Sequence, residues 1–307
     1  MFLIFFYFSS FAGFLYVYFS GPFKYKKLIL LIFGIIIVTA SLRAGMFTII
    51  AYMGMTMYSF FFLGNKTTFL KKCSFFIAAI LLLFIIQTVK PKYRYLLWRK
   101  GYVGNQAVLF SELAIDKLSS TEKFFAARDF FMIYYRTNQG FNLALVMKYF
   151  PRIKPYDNGE HLLYSIGSSF VPRVLWLDKP EAGGIQNMKY YTGVTIKGWS
   201  TNVGPIGEGY ASFGKIGGII YMMFLGFFIR FAYASIFRIS NKVPLLLLWI
   251  PVLFYQISYS AENDTLQILN SLFKSALFIY LLFKIIPTIF LPRPKNIRMP
   301  RKNLELA

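Results

Sequence analysis

The chain has 307 residues, of which 57% are hydrophobic and only 15% charged, and its mean hydropathy is +0.53. A soluble domain is about 45–50% apolar and about 25% charged, so this composition excludes an ordinary soluble enzyme and indicates a membrane protein. The 34 Lys and Arg outnumber the 12 Asp and Glu by 22. Much of that excess flanks apolar runs, which fits membrane topology rather than a nucleic-acid partner.

The first 20 residues, "MFLIFFYFSSFAGFLYVYFS", lack the basic start and small-residue cleavage site of a signal peptide and read as a span. A crossing helix needs about 20 mainly apolar residues. The runs 1–20, 28–42, 46–63, 73–89, 214–236, 243–260 and 266–291 predict an all-α polytopic membrane protein with about seven transmembrane helices. Arg43 divides the long stretch between the second and third runs, and Gly45 permits the turn there. Cys73 is the only cysteine, which leaves no internal disulfide and no cysteine-based metal site.

The loops 22–27, 64–72 and 237–242 and the tail 292–302 are basic. With these spans all four fall on one side, which the positive-inside rule makes the cytoplasm. Arg43, the segment 90–205 and the acidic turn "SAENDT" (260–265) then lie outside. The expected organisation is N-terminal transmembrane helices (1–89), a large outer loop (90–205), C-terminal transmembrane helices (206–291) and a basic cytoplasmic tail (292–307). Such a chain starts outside, an arrangement that leads one to expect either a naturally short N-terminus or further spans before it.

The outer segment carries 16 basic and 8 acidic residues, and a structureless loop of that length would be unusual. Residues 121–150, rich in helix formers and aromatics, predict one or two amphipathic helices at the interface. Arg128 and Arg136 share neighbouring parts of one helical surface there, and Arg173 and Lys179 lie in "SSFVPRVLWLDKP" (168–180). Guanidinium forks match phosphate oxygens in pairs. Arg43, Arg128, Arg136 and Arg173, with Lys179, are therefore candidate anion ligands; the alternative is pairing with loop acids or reaching to lipid headgroups.

Glu208 stands alone among acids in "GPIGEGYASFGKIGG" (204–218), just before a predicted span, and is a candidate proton-transfer group or a helix-entrance carboxylate. His161, the only histidine, lies beside Glu160 and near Asp157, and is a second candidate base or a packing residue. These three do not supply a convincing ligand set, so no metal is assigned. No phosphate-binding Gly-rich loop and no Gly-x-Ser-x-Gly nucleophile motif occurs, and no cofactor is expected.

The order of a "SLRAG" turn, a long loop containing Pro-Arg-x-x-Trp-x-x-Lys-Pro (172–180), and Gly-Glu-x-Tyr-x-x-Phe-Gly (207–214) leading into a span resembles the Wzy-type O-antigen and capsule repeat-unit polymerases. The resemblance covers roughly residues 28–240, and Arg173 to Gly184 also fits an Arg-x10-Gly spacing discussed for some members. Members usually carry more spans than this chain. The resemblance implies a GT-C-like, metal-independent glycosyltransferase in the bacterial plasma (inner) membrane. It implies undecaprenyl-diphosphate-linked oligosaccharide as substrate, membrane lipid and a chain-length regulator as partners, and no nucleic acid. In that reading outer arginines stabilise the leaving diphosphate, and Glu208 or His161 takes the acceptor proton. Tyr210, Trp199, Tyr190 and Tyr191 offer faces to sugar rings. An O-antigen ligase, and a non-enzymatic flippase or export component, are the alternatives.

Overall fold

The computed structural model describes residues 2–64, 67–127, 129–131, 134, 138–171, 175–180, 184–196, 201–255, 257 and 263–290. Among these residues the fold is all-helical. In chain order the helices are α1 (Phe2–Phe19), α2 (Lys26–Ala44), α3 (Thr48–Gly64), α4 (Phe69–Arg94), α5 (Gln106–Leu118) and the short α6 (Thr121–Phe124). Then come α7 (Gln139–Tyr149), α8 (Glu160–Phe170), α9 (Gly184–Thr192), α10 (Gly204–Ser240), the short α11 (Ile250–Leu253) and α12 (Thr265–Ile285).

Among the described residues, four helical stretches are long and apolar enough to cross a membrane: Lys26–Ala44, Phe69–Arg99, Gly204–Ser240 and Thr265–Ile285. This is a smaller set than the seven expected. The third predicted run is a 17-residue helix. The sixth, 243–260, is broken within its described residues. Pro244 opens a 3-10 turn to Trp249, Pro251 sits in the first turn of α11, and α11 ends at Leu253. Leu245, Leu248, Val252 and Phe254 are buried within the protein instead of facing outward. High apolarity here reflects a protein interior, and the prolines prevent a continuous hydrogen-bond ladder.

The chain forms two compact units, Gly13–Tyr134 with Pro294–Ala307, and Met1–Ala12 with Tyr135–Arg293. The boundary falls inside the long segment 90–205. Its first part belongs with the N-terminal helices and the rest with the C-terminal ones. Residues 121–150, expected to be one or two amphipathic helices, contain α6 and α7.

In the N-terminal unit α2 ends where Gly45 takes φ 61°, so that Gly45 N–H reaches the Leu42 carbonyl and Met46 N–H reaches that of Ser41. This is the left-handed stop that glycine favours. The turn is held from α4. The buried Tyr93 hydroxyl donates to the Leu42 carbonyl at 2.8 Å, and Arg94 Nε donates to the Gly45 carbonyl at 2.7 Å while its guanidinium lies over Trp98. Leu42, Phe47, Ile86, Val89, Tyr93 and Leu109 form the core around it. α5 starts on Asn105, whose side chain accepts from the N–H groups of Ala107 and Val108.

Candidate functional site

The site lies in the C-terminal unit, where α10 meets the start of α12. α10 is broken at Gly214, which has φ 69° and ψ −163°, a region essentially confined to glycine. The break folds residues 204–213 back toward residues 215–240. At the crossing, a Cβ built on Gly218 would come within 3.1 Å of the Gly209 carbonyl carbon, so a side chain there would push the two backbones apart by a few tenths of an ångström. The glycines of "GEGYASFGKIGG" thus build a tight helical elbow, and its short limb carries Glu208.

Glu208 is 1% exposed. Its Oε2 accepts from Thr265 N–H at 2.9 Å and from the Thr265 hydroxyl, which in turn accepts from the Tyr221 hydroxyl on the long limb. Thr265 is the first residue of α12, where free N–H groups favour a carboxylate. Next to it Asp264 is wholly buried. It forms a capping box with Gln267 and accepts from Asn187 Nδ2 at 2.9 Å and Asn202 Nδ2 at 2.7 Å. Asn142, on α7, donates to the Asn202 carbonyl and to Thr201 Oγ1. Two carboxylates and three amides therefore tie α7, α9, α10 and α12 together. Buried polar groups are expensive unless they are paired.

Beside this network lies an aromatic group. The His161 ring meets Tyr190 edge-on at 3.9 Å and lies nearly parallel to Tyr191 at 5.3 Å. The Tyr190 hydroxyl donates to Asp157 Oδ2 at 3.2 Å, and Lys154 Nζ sits 3.4 Å above the Tyr190 ring. Burial, only partly opposed by the nearby Asp157 carboxylate, pulls the His161 imidazole below its ordinary value and favours its neutral form. Burial first, and then the Glu208 carboxylate, holds the Tyr191 hydroxyl well above the usual phenol range. Among the described residues, His161 Nδ1, the Tyr191 hydroxyl and Ser212 Oγ are buried without a hydrogen-bond partner. Ser212 lies one helical turn from Glu208 on the same buried face.

The structure brings Glu208, His161, Tyr190 and Tyr191 into one unit, together with Tyr210, whose ring packs edge-on to Tyr156. It separates Lys179 from the anion-binding expectation. That side chain is buried, and its ammonium donates to the Val171 carbonyl at 2.8 Å and to Asn270 Oδ1 at 3.3 Å. A lysine that serves its own backbone is not presented to a phosphate. Arg43 is exposed in the last turn of α2, in the other unit. Arg128, Arg136, Arg173 and Trp199 lie outside the described residues.

Asp264, Thr265, Tyr221 and the three asparagines were not singled out from sequence. Asp264 carried a readable signal, since Asp-x-x-Gln before an apolar run is a helix-start pattern. Compared with models of known protein families, with curated proteins and with solved structures, the chain matches none.

Proposed function

We propose that this chain is a glycosyltransferase that polymerises undecaprenyl-diphosphate-linked oligosaccharide repeat units into O-antigen, capsule or exopolysaccharide. The reaction would take place at the outer face of the bacterial plasma membrane. The observation that supports this reading best is the buried carboxylate Glu208 at the junction of two membrane-length helices, with a neutral imidazole and two tyrosines close by. Such a place suits a substrate whose lipid lies in the membrane and whose sugars lie above it.

In the proposed step an acceptor sugar hydroxyl attacks the anomeric carbon of the growing chain. The new bond is C–O, and the bond that breaks joins that carbon to the diphosphate oxygen. The acceptor proton passes to a base, and the lipid diphosphate leaves with the electron pair. His161, half-buried and held neutral, is the better-exposed base. Glu208, engaged by Thr265, is the alternative base or a group that shapes the site. Arg136 and Arg173, in the same unit of the chain as His161 and Glu208, are the candidate anion ligands for the leaving group.

The test is a gel of surface polysaccharide from a strain lacking this gene, complemented with wild type, Glu208→Gln, His161→Gln or Arg173→Ala. A ladder that collapses to a single repeat unit and is restored by wild type but not by His161→Gln or Glu208→Gln is the expected result. Glutamine keeps an acceptor for Thr265 while removing the basic carboxylate, so its failure isolates chemistry from packing. Full-length polymer left unattached to its final acceptor would identify a ligase. A ladder unchanged by deletion would refute both assignments.

A further inference from the structure

We infer that the Lys154 ammonium is an anion-binding element of the site and holds the diphosphate of the lipid-linked substrate beside His161. The identity of the ligand rests on the reaction proposed above; the place of the cation rests on the structure. Lys154 follows α7 in the loop 150–159, and that loop is locked onto the elbow of α10. Asp157 N–H donates to the Ala211 carbonyl at 3.3 Å, and the Tyr156 ring packs edge-on to Tyr210. Gly159 has φ 85°, and a Cβ there would run into the Phe213 ring. Lys154 N–H itself donates to the Tyr149 carbonyl at 3.2 Å, which fixes where the side chain departs.

The described cations between Lys148 and Lys215 differ in what they do with their charge. Lys148, Arg152, Lys189 and Lys215 are exposed and remain solvated. Lys179 is buried and gives its donors to Val171 and Asn270. Lys154 does neither. It is half-buried, and among the described residues no carboxylate pairs with it and no hydrogen-bond acceptor meets its ammonium. Its Nζ stands 3.4 Å from the centre of the Tyr190 ring and 5.6 Å from that of Phe150. Ring faces hold a cation electrostatically, yet an ammonium carries three N–H donors that seek oxygen. Away from bulk water those donors are under-compensated. A phosphate oxygen supplies what they lack through a charge-assisted hydrogen bond.

His161 lies against the same ring. Its imidazole centre is 3.9 Å from that of Tyr190, and its Nδ1 is buried without a hydrogen-bond partner. An anion on Lys154 is therefore a neighbour of the group proposed to take the acceptor proton, as the leaving and attacking oxygens must flank one anomeric carbon. The two sites also sense each other. Burial lowers the proton affinity of His161 most, the Asp157 and Glu160 carboxylates oppose this, and Lys154 adds to it. Neutralising Lys154 with a bound anion raises the pKa of His161.

His161 is the only histidine, so its imidazole reports on the site by NMR in the full chain, isotope-labelled at histidine and purified in dodecyl maltoside without a histidine tag. The probe is farnesyl diphosphate. It should shift the imidazole resonance saturably and raise the His161 pKa by about half a unit or more. Lys154→Met keeps an unbranched stem over the rings and should weaken binding at least about tenfold. Lys154→Arg, which keeps the charge, should retain it, and so should Lys242→Met, just past the end of α10. In wild-type protein saturating diphosphate should slow acetylation of Lys154 and leave that of Lys242 unchanged, by peptide mass spectrometry. Inorganic pyrophosphate that acts as well as the farnesyl compound assigns recognition to the diphosphate alone. Normal binding by Lys154→Met with the wild-type melting temperature overturns the inference, as does unslowed acetylation of Lys154. An equal response to uncharged farnesol, or to phosphatidylglycerol, overturns the assignment to a diphosphate. The polysaccharide gel tests the reaction separately: a ladder unchanged by deletion, with Lys154-dependent diphosphate binding, would remove the polymerase and keep the site.

Discussion

The two units of this protein are built from similar apolar helices but differ in what they bury. The N-terminal unit has an aromatic and aliphatic core in which polar side chains serve the backbone: Tyr93 and Arg94 hold the Leu42 and Gly45 carbonyls. Its carboxylates stay outside the core, with Asp116 paired to Lys123 and Asp129 to Lys117. The C-terminal unit buries Glu208 and Asp264 and surrounds the second with amides. Packing alone could have been achieved with leucines at less risk, because an ionisable group away from water is tolerated only when fully paired. The contrast separates a unit that needs its polar atoms for shape from one that retains them at a price in desolvation, as functional sites do.

The contrast can be broken most forcefully at Asp264. Alanine there removes a helix cap and strands Asn187 and Asn202, and should destabilise the protein by about 3–5 kcal/mol. Loss of a monodisperse peak after mild detergent extraction would show it. A variant melting within a few degrees of wild type would mean that the amides find other partners. Gly214→Ala comes next, at about 1–3 kcal/mol, because the left-handed elbow excludes a side chain. Thermal unfolding in detergent measures it, and the effect should be larger than that of alanine at an ordinary helical glycine of α2 such as Gly34.

In the N-terminal unit, Arg94→Ala removes one hydrogen bond and a cation–π contact and should lower stability by about 1–2 kcal/mol without affecting any activity of the other unit. A large loss of polymer at unchanged stability would erase the proposed division of labour. The smallest effect concerns pH. His161 binds its proton less readily in the folded protein than in the unfolded chain. Its contribution is therefore complete above the unfolded value of about 6.5 and is lost as pH falls through that value toward the lower native one. Stability measured across this range should decline on acidification, and His161→Gln should flatten the slope.

Some of this was legible from residues alone. The stop at Gly45 follows from glycine's access to positive φ, and the apolar runs over α2, α4, α10 and α12 announce their helices. In its described residues the run 243–260 is interrupted at Pro244 and Pro251 and buried, since apolarity measures dryness and a protein interior is as dry as a bilayer. From sequence Lys179 is an anion-ligand candidate because it shares its stretch with Arg173. Only the fold brings the Val171 carbonyl to it. The elbow of α10 was half visible, since "GEGYASFGKIGG" marks close approach without saying what approaches. The Glu208–Thr265 bond joins residues 57 apart, and no local pattern encodes it.

That bond also sets the direction in which the chain must be threaded. It places the start of α12 beside the short limb of α10, so the chain that leaves α10 at Ser240 is back near the start of its long limb by Thr265. Asp264 travels with that return. With the basic 237–242 loop retained inside, as the positive-inside expectation has it, an inside-negative membrane potential would favour this acid on the outer side. The gain is about 2.3 kcal/mol per charge for each 100 mV. In that orientation the electric field across the membrane would assist the assembly of a segment that Pro244 and Pro251 interrupt, and the charge it moves would be the cap on which α12 begins.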